Sequence, residues 1–138
     1  MHCLIYASRM APGCDLDTVN EILEVARRRN DEAGISGILF FKLGQFIQYL
    51  EGPEEAVRQL FAKISRDPRH EDVRLLTFQK IQQPNFGAWS MAYLPLTRET
   101  SGVFRELSLS PEMDLCHLDS ETSLELVLEL ADLVESVY

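Results

Sequence analysis

Two apolar runs stand almost back to back: ISGILFF at 35–41 and QFIQYLE at 45–51, separated by Lys42-Leu43-Gly44. So short a connection, ending in a glycine that takes positive φ freely, makes the two strands fold back on each other as a hairpin. An amphipathic segment stands on each side of that hairpin. Before it, Val19, Ile22, Leu23 and Ala26 recur at helical spacing, with Asp15 or Asp17 available as a cap and Gly34 as the stop. After it, Pro53 suits the first helical position, Glu54 and Glu55 the first turn, and Val57, Leu60, Phe61 and Ile64 the buried stripe, until Pro68 ends the helix.

Three further runs complete the pattern: HCLIYAS (2–8), VRLLTFQKI (73–81) and AWSMAYL (88–94) read as the first, fourth and fifth strands. A hairpin between two β-α-β crossovers predicts an α+β, ferredoxin-like sheet, β-α-β-β-α-β-β, with both helices on one face. Right-handed crossovers set strands one and three at its centre, as parallel neighbours in this reading. Residues 1–95 form the domain, and 96–138 a C-terminal helical extension that is not a domain of its own.

Charge divides the chain about ten residues further on. Residues 1–105 hold all 13 Lys and Arg against 13 Asp and Glu, whereas 106–138 hold nine acids and no base, hence the net charge of −9. An acidic tail argues against nucleic acid or an anionic membrane as partner. No apolar run approaches the about 20 residues of a membrane helix, and MHCLIYAS lacks the pattern of a secretory signal. Cys3, Cys14 and Cys116 are too few and too scattered for a disulfide framework or zinc site, which suits the cytoplasm. Within the tail, residues 98–107 suggest a short helix. Leu124, Val127, Leu128, Ala131, Val134 and Tyr138 form a stripe on a longer one, with Ser120 or Ser123 as cap. That stripe suits the back of the sheet, a homo-oligomer contact or a downstream protein partner.

Three polar residues interrupt the apolar faces. Tyr6 shares a strand face with Leu4, Gln48 lies between Phe46 and Leu50, and Asn30 continues the stripe of the first helix. Taken singly, Tyr6 reaches a backbone group, Gln48 sits at an edge and Asn30 finishes a helix. Taken together, a phenol and two amides converge where the first helix meets the central strands. Each would cost about 1–3 kcal/mol if left unpaired. They either satisfy one another or line a pocket for a flat ligand edged with carbonyls and ring nitrogens, since an amide donates and accepts at once. Ile22 and Ile64, one on each helix, would cover the faces of such a ring; otherwise they are plain core.

IYAS, RRRN-x3-GISGILFF, G-x-FIQYLEG, DPRH and F-x2-WSM follow one another in an order and spacing that resemble the BLUF family, over residues 2 to 94. The resemblance implies a blue-light sensor whose flavin ring lies between two helices. It implies that Tyr6 gives an electron to the excited flavin and that Gln48 bridges Tyr6 to the ring edge. It implies that Asn30 binds that edge, that Ile22 and Ile64 sandwich the ring, and that Arg28, Asp67, Arg69 and His70 lie beside the cofactor. Trp89 and Met91 match a pair whose position responds to light. The chain departs from the family pattern at Arg29, where an asparagine often stands, and at Pro84, where many members carry a basic residue. FAD is the expected flavin, with FMN and riboflavin as alternatives.

The implied output is a turned Gln48, a red-shifted spectrum and altered protein contacts, without net chemistry: a switch, not an enzyme, and no effector domain is expected after it. A flavin-free interaction module is the alternative. An acylphosphatase-like enzyme is a more distant one, because SRMAPGCD offers a single glycine and an isolated Arg9 where an anion loop is needed.

Overall fold

The structure, a computed structural model, describes residues 1–86 and 89–137, with side chains described up to Val134 in the last helix. Five strands, β1 (His2–Met10), β2 (Ser36–Lys42), β3 (Gln45–Gly52), β4 (His70–Lys80) and β5 (Ala92–Pro95), form one sheet in the order β4-β1-β3-β2-β5. Helices α1 (Leu16–Ala33) and α2 (Glu54–Arg66) belong to the two crossovers, and α3 (Arg98–Glu106) and α4 (Ser120–Val137) follow the sheet.

β1 and β3 are neighbours at the centre, but antiparallel, not parallel as expected. The reason is geometric. The α1 crossover brings β2 back parallel to β1, and β3, hairpinned to β2 and inserted between them, runs against both. The register sets Tyr6 directly opposite Gln48. The hairpin turn needs only Leu43 (φ 48°) and Gly44 (φ 80°), because Lys42 already pairs with Gln45. Two positive φ values are the type I′ signature. Gly37 is required for another reason: a Cβ there would lie 2.0 Å from the Tyr49 carbonyl oxygen of β3.

Local signals set most boundaries. Asp15 caps α1, its carboxylate accepting from the Asp17 and Thr18 amides, and Gly34 closes it at φ 73°. Pro53 caps α2 from outside rather than occupying its first turn, since Val57 N–H already bonds the Pro53 carbonyl. β4 begins at His70, earlier than expected, because β1 is long enough for Met10 to pair with it. β5 begins only at Ala92. Of the expected earlier part, Ala88 lies outside the described residues. Trp89 turns back on Phe86 through a 2.9 Å N–H···O bond, which a continuous strand would not permit.

Burial on both faces gives the sheet two cores. In front, under α1 and α2, Leu4, Tyr6, Leu39, Phe46 and Leu50 pack on Val19, Leu23 and Val57. Behind, Cys3, Ile5, Phe40, Ile47 and Tyr49 pack on Phe104 of α3 and Leu126, Val127 and Leu130 of α4. The extension is also bonded to the sheet at its ends. Lys42 Nζ donates to the Met113 carbonyl (2.5 Å), Leu115 N–H donates to Gln45 Oε1 (2.8 Å), and Arg9 pairs with Asp114. Ser123 and Ser120 meet the Thr77 hydroxyl of β4 at 3.2 and 2.8 Å.

The buried face of α4 is Ser123, Leu126, Val127, Leu130, Ala131 and Val134, one position away from the predicted stripe. Leu128 is 40% exposed, Leu124 only half-buried, and Tyr138 lies outside the described residues. Asp119, not a serine, caps the helix, accepting from Thr122 N–H at 2.7 Å. Leu126→Ala should therefore lower unfolding stability by about 2–5 kcal/mol. Leu128→Ala should change it by less than about 0.5 kcal/mol. Urea titration of the two variants reads the difference, and equal effects would contradict the observed face.

Candidate functional site

A groove runs between α1 and α2 over the front of β1 and β3. Its inner end is made by Tyr6, Gln48, Asn30 and His70, and its walls by Ile22, Val25 and Ala26 of α1 and Leu60 and Ile64 of α2. It continues past Arg29, Asn30, Leu60 and Lys63 into an outer part of about 400 Å³ that reaches Ala33 and Gln59. The sequence-selected Tyr6, Ile22, Asn30, Gln48, Ile64, Asp67, Arg69 and His70 thus line one groove. The residues sequence reasoning missed are Arg29 and Lys63, both at the mouth. Arg28 is placed elsewhere: it is exposed and lines a separate depression with Val25, Arg29 and Glu32. The run of three arginines hides which of them borders the groove, because one residue turns the helix by about 100°.

At the inner end the hydrogen bonds have one direction. Burial, and the Asp67 carboxylate to a smaller degree, push the Tyr6 phenol far above its ordinary pKa, so it stays protonated and donates. Its hydroxyl donates to Gln48 Oε1. That bond orients the amide, whose Nε2 donates in turn to Met91 Sδ at 3.3 Å. Thioether sulfur is a weak acceptor. Asn30 Nδ2 donates to the Ser90 carbonyl (2.8 Å), while its Oδ1 is buried with no partner among the described residues. Arg27 Nε, another contact the sequence did not signal, donates to the Met91 carbonyl (3.1 Å). α1 and β3 therefore both grip the segment that leads into β5.

Met91 is buried in the front core, whereas Trp89 is half-buried against the back core and stacked on Phe86 at 5.7 Å and 12°. In the strand expected over 88–94 the two would share a face; they do not, because neither belongs to β5.

Next to Tyr6, His70 Nδ1 lies 2.9 Å from Ser8 Oγ, and its ring packs on Phe46 at 5.1 Å. Burial lowers the His70 pKa, against the pull of Asp67, so the ring is neutral at pH 7. Asp67 is held below its ordinary pKa by bonds from Arg69 Nε and Nη2, the shortest 2.6 Å.

The arrangement suits a flat, heteroaromatic guest. The partnerless Asn30 oxygen calls for a ring N–H, the Gln48 amide offers a donor to a ring nitrogen or carbonyl, and Ile22 and Ile64 offer apolar faces. A flavin ring has that edge and those faces.

Comparison with known proteins points the same way. The sequence model of the family described as sensors of blue light using FAD matches residues 1–92. The "Blue light- and temperature-regulated antirepressor BluF" of Escherichia coli is 34% identical over 93 residues, 67% of this chain and 23% of that protein. A photoactivated adenylate cyclase subunit beta of Euglena gracilis is 40% identical over 78 residues, 56% of this chain and 9% of that one. The chain thus spans less than a quarter of these curated relatives. Among solved structures, BlsA in its photo-activated state superposes with a TM-score of 0.86 at 31% identity, covering 94% of each chain. The dark state of BlrB, a BLUF protein, does so with 0.77 at 28%, covering 94% of this chain and 96% of that one.

Buried neutral His70 makes the fold sensitive to mild acid. Its folded-state pKa lies below the ordinary value of 6.5, so below that pH the unfolded chain binds a proton the folded one refuses. Stability is complete above about pH 6.5 and is lost as pH falls toward the folded-state pKa. Asp67 adds a second loss below its ordinary 3.8. Urea midpoints at pH 7.5 and 5.5 should differ in the native chain and differ less in His70→Gln. An unchanged difference would mean His70 is not the titrating group.

Proposed function

The chain belongs to the BLUF family, the sensors of blue light using FAD, and from that premise we propose that Tyr6 and Gln48 form its light-driven switch, with Met91 as the first group to respond. The observation that carries this reading is the directed chain Tyr6 Oη–Gln48–Met91 Sδ at the inner end of the groove, beside the partnerless Asn30 oxygen. Bound flavin supplies the absorption of blue light and an excited state that takes up an electron. Everything else falls to side chains.

Tyr6 is the electron donor, and its proton has one described exit, through Gln48 Oε1. Its raised pKa keeps that proton in place in the dark. Gln48 is the element that turns: once its amide reverses, Nε2 faces Tyr6 and Oε1 faces Met91 Sδ. Oxygen and sulfur are both acceptors, so the contact with Met91 is lost and the thioether is released from its place. The change reaches the segment that Asn30 and Arg27 hold through Ser90 and Met91. Asn30, Ile22 and Ile64 hold the ring, and Asp67, Arg69 and His70 complete that end of the groove.

Electron and proton then return to Tyr6, so the switch ends with the same bonds it began with, apart from hydrogen bonds, and the chain acts as a receptor rather than a catalyst. Its output is a shift of population between two arrangements. It is passed through the helical extension to a second copy or a downstream protein. The back face of β3 packs on that extension, which supports such a route.

Gln48→Leu should leave the protein yellow and abolish the light-induced red shift, read by absorption before and during blue illumination. A normal red shift in that variant would overturn the role given to Gln48. Failure of the native chain to take up flavin would overturn the whole reading.

A further inference from the structure

β3 carries Gln48 on its front face, and three residues along, on its back face, a carboxylate that the switch does not use. Glu51 is 1% exposed. Its Oε1 accepts from the backbone N–H of Asn85 (2.8 Å), and its Oε2 from the backbone N–H of Phe86 (2.9 Å) and the hydroxyl of Ser36 (3.0 Å). All three described donors are uncharged. A carboxylate in a core without a cation is held only when several donors converge on it, and here two of them are consecutive amides of one loop. The loop is gripped rather than merely touched.

A second hold lies beside the first. Tyr49 Oη accepts from Asn85 Nδ2 (3.0 Å), and its ring meets that of Phe86 edge-on at 4.9 Å. From Phe86 the linkage runs to Trp89 by ring stacking and by the Trp89 N–H bond to the Phe86 carbonyl. Trp89 is fixed to β2 by the Gly37 N–H, 3.1 Å from its carbonyl. One residue further Ser90 meets Asn30, and the next, Met91, meets Gln48. None of these links rests on residues 87 and 88.

We propose that Glu51 is a positioning residue for the switch: its grip on the Asn85 and Phe86 amides sets the segment ahead of β5 so that Met91 Sδ reaches Gln48. The proposal rests on the reading of Gln48 and Met91 given above. In physical terms β3 acts as a two-sided frame. Its front sets one end of the Gln48–Met91 contact and its back, through the carboxylate, the other. A neutral amide at position 51 keeps the shape but offers one acceptor oxygen to two amides, and turns N–H toward N–H at the other.

The test is the ¹³C-methyl spectrum of the full chain, methionine-labelled and loaded with FAD, in the dark, for native protein and Glu51→Gln. Met91→Leu identifies the Met91 signal. The proposal expects the Met91 signal to leave its native position while those of Met1, Met10 and Met113 stay. A Met91 signal that stays put, whatever happens to the melting temperature, would make Glu51 a structural residue only and overturn the proposal. If Glu51→Gln does not fold, Ser36→Ala, which removes a single donor, decides: a smaller displacement of Met91 supports the proposal, and none overturns it. A native chain that takes up no flavin defeats the photoreceptor reading on its own. The same spectra, recorded flavin-free, then still decide the role of Glu51.

Discussion

Everything in the molecule depends on the antiparallel pairing of β1 with β3, which sets Tyr6 opposite Gln48 at the centre of the sheet. Cross-strand neighbours in such a pair hold their Cβ atoms about 5 Å apart, so a phenol and a long amide reach each other across the strands. A slip of one residue would send Gln48 to the back core and Tyr49 to the front. The two-residue turn at Leu43-Gly44 and the close approach at Gly37 fix β3 against β2, and with it which residues of β3 face the front. Register is therefore the condition for the proposed switch, and the hairpin sets which face of β3 carries Gln48.

The central strands are buried on both faces, so each polar side chain they carry needs an internal partner. Gln48 has Tyr6 and Met91, and Glu51 has two amides and a hydroxyl. Asn30 has the Ser90 carbonyl for its amide nitrogen and no described partner for its oxygen. A satisfied network specifies a unique packing, whereas a lone unsatisfied acceptor is a local conflict that a guest with an N–H relieves. That contrast sets Gln48 and Glu51, both satisfied, apart from Asn30, the acceptor proposed to face the ligand.

How much of this was legible in the chain follows from the range of each signal. The hairpin, the two helical stripes and the caps at Asp15 and Gly34 are local, and they read correctly. The convergence of Tyr6, Gln48 and Asn30 was also legible, because each breaks an apolar period at a position the topology brings to one place. The direction of β3 was not, since crossover handedness orders the strands but the sense of β3 follows from its hairpin to β2. The face of α4 was misread by one position because Leu124, Leu126 and Leu128 give the helix apolar residues nearly all round, and only the sheet selects among them. The place of Arg29, not Arg28, at the mouth of the groove is of the same kind. The grip of Glu51 on two backbone amides had no sequence signal, because a backbone donor has no letter.

Met91 is a consequential choice at its position. A carbonyl there would hold Gln48 Nε2 by a full hydrogen bond, and reversing the amide would sacrifice about 1 kcal/mol on that side. A thioether gives little on either side, so the dark and turned amides lie closer in energy and the bond to Tyr6 is left to decide between them. A switch of that balance responds to small inputs, but for the same reason it does not hold the segment ahead of β5 in place. That task falls on groups with stronger bonds, Asn30, Arg27 and Glu51, each anchored to backbone atoms. The weak contact is free to change because the strong ones around it are not, and this division of labour would let the proposed turn of one amide take place inside a densely packed core.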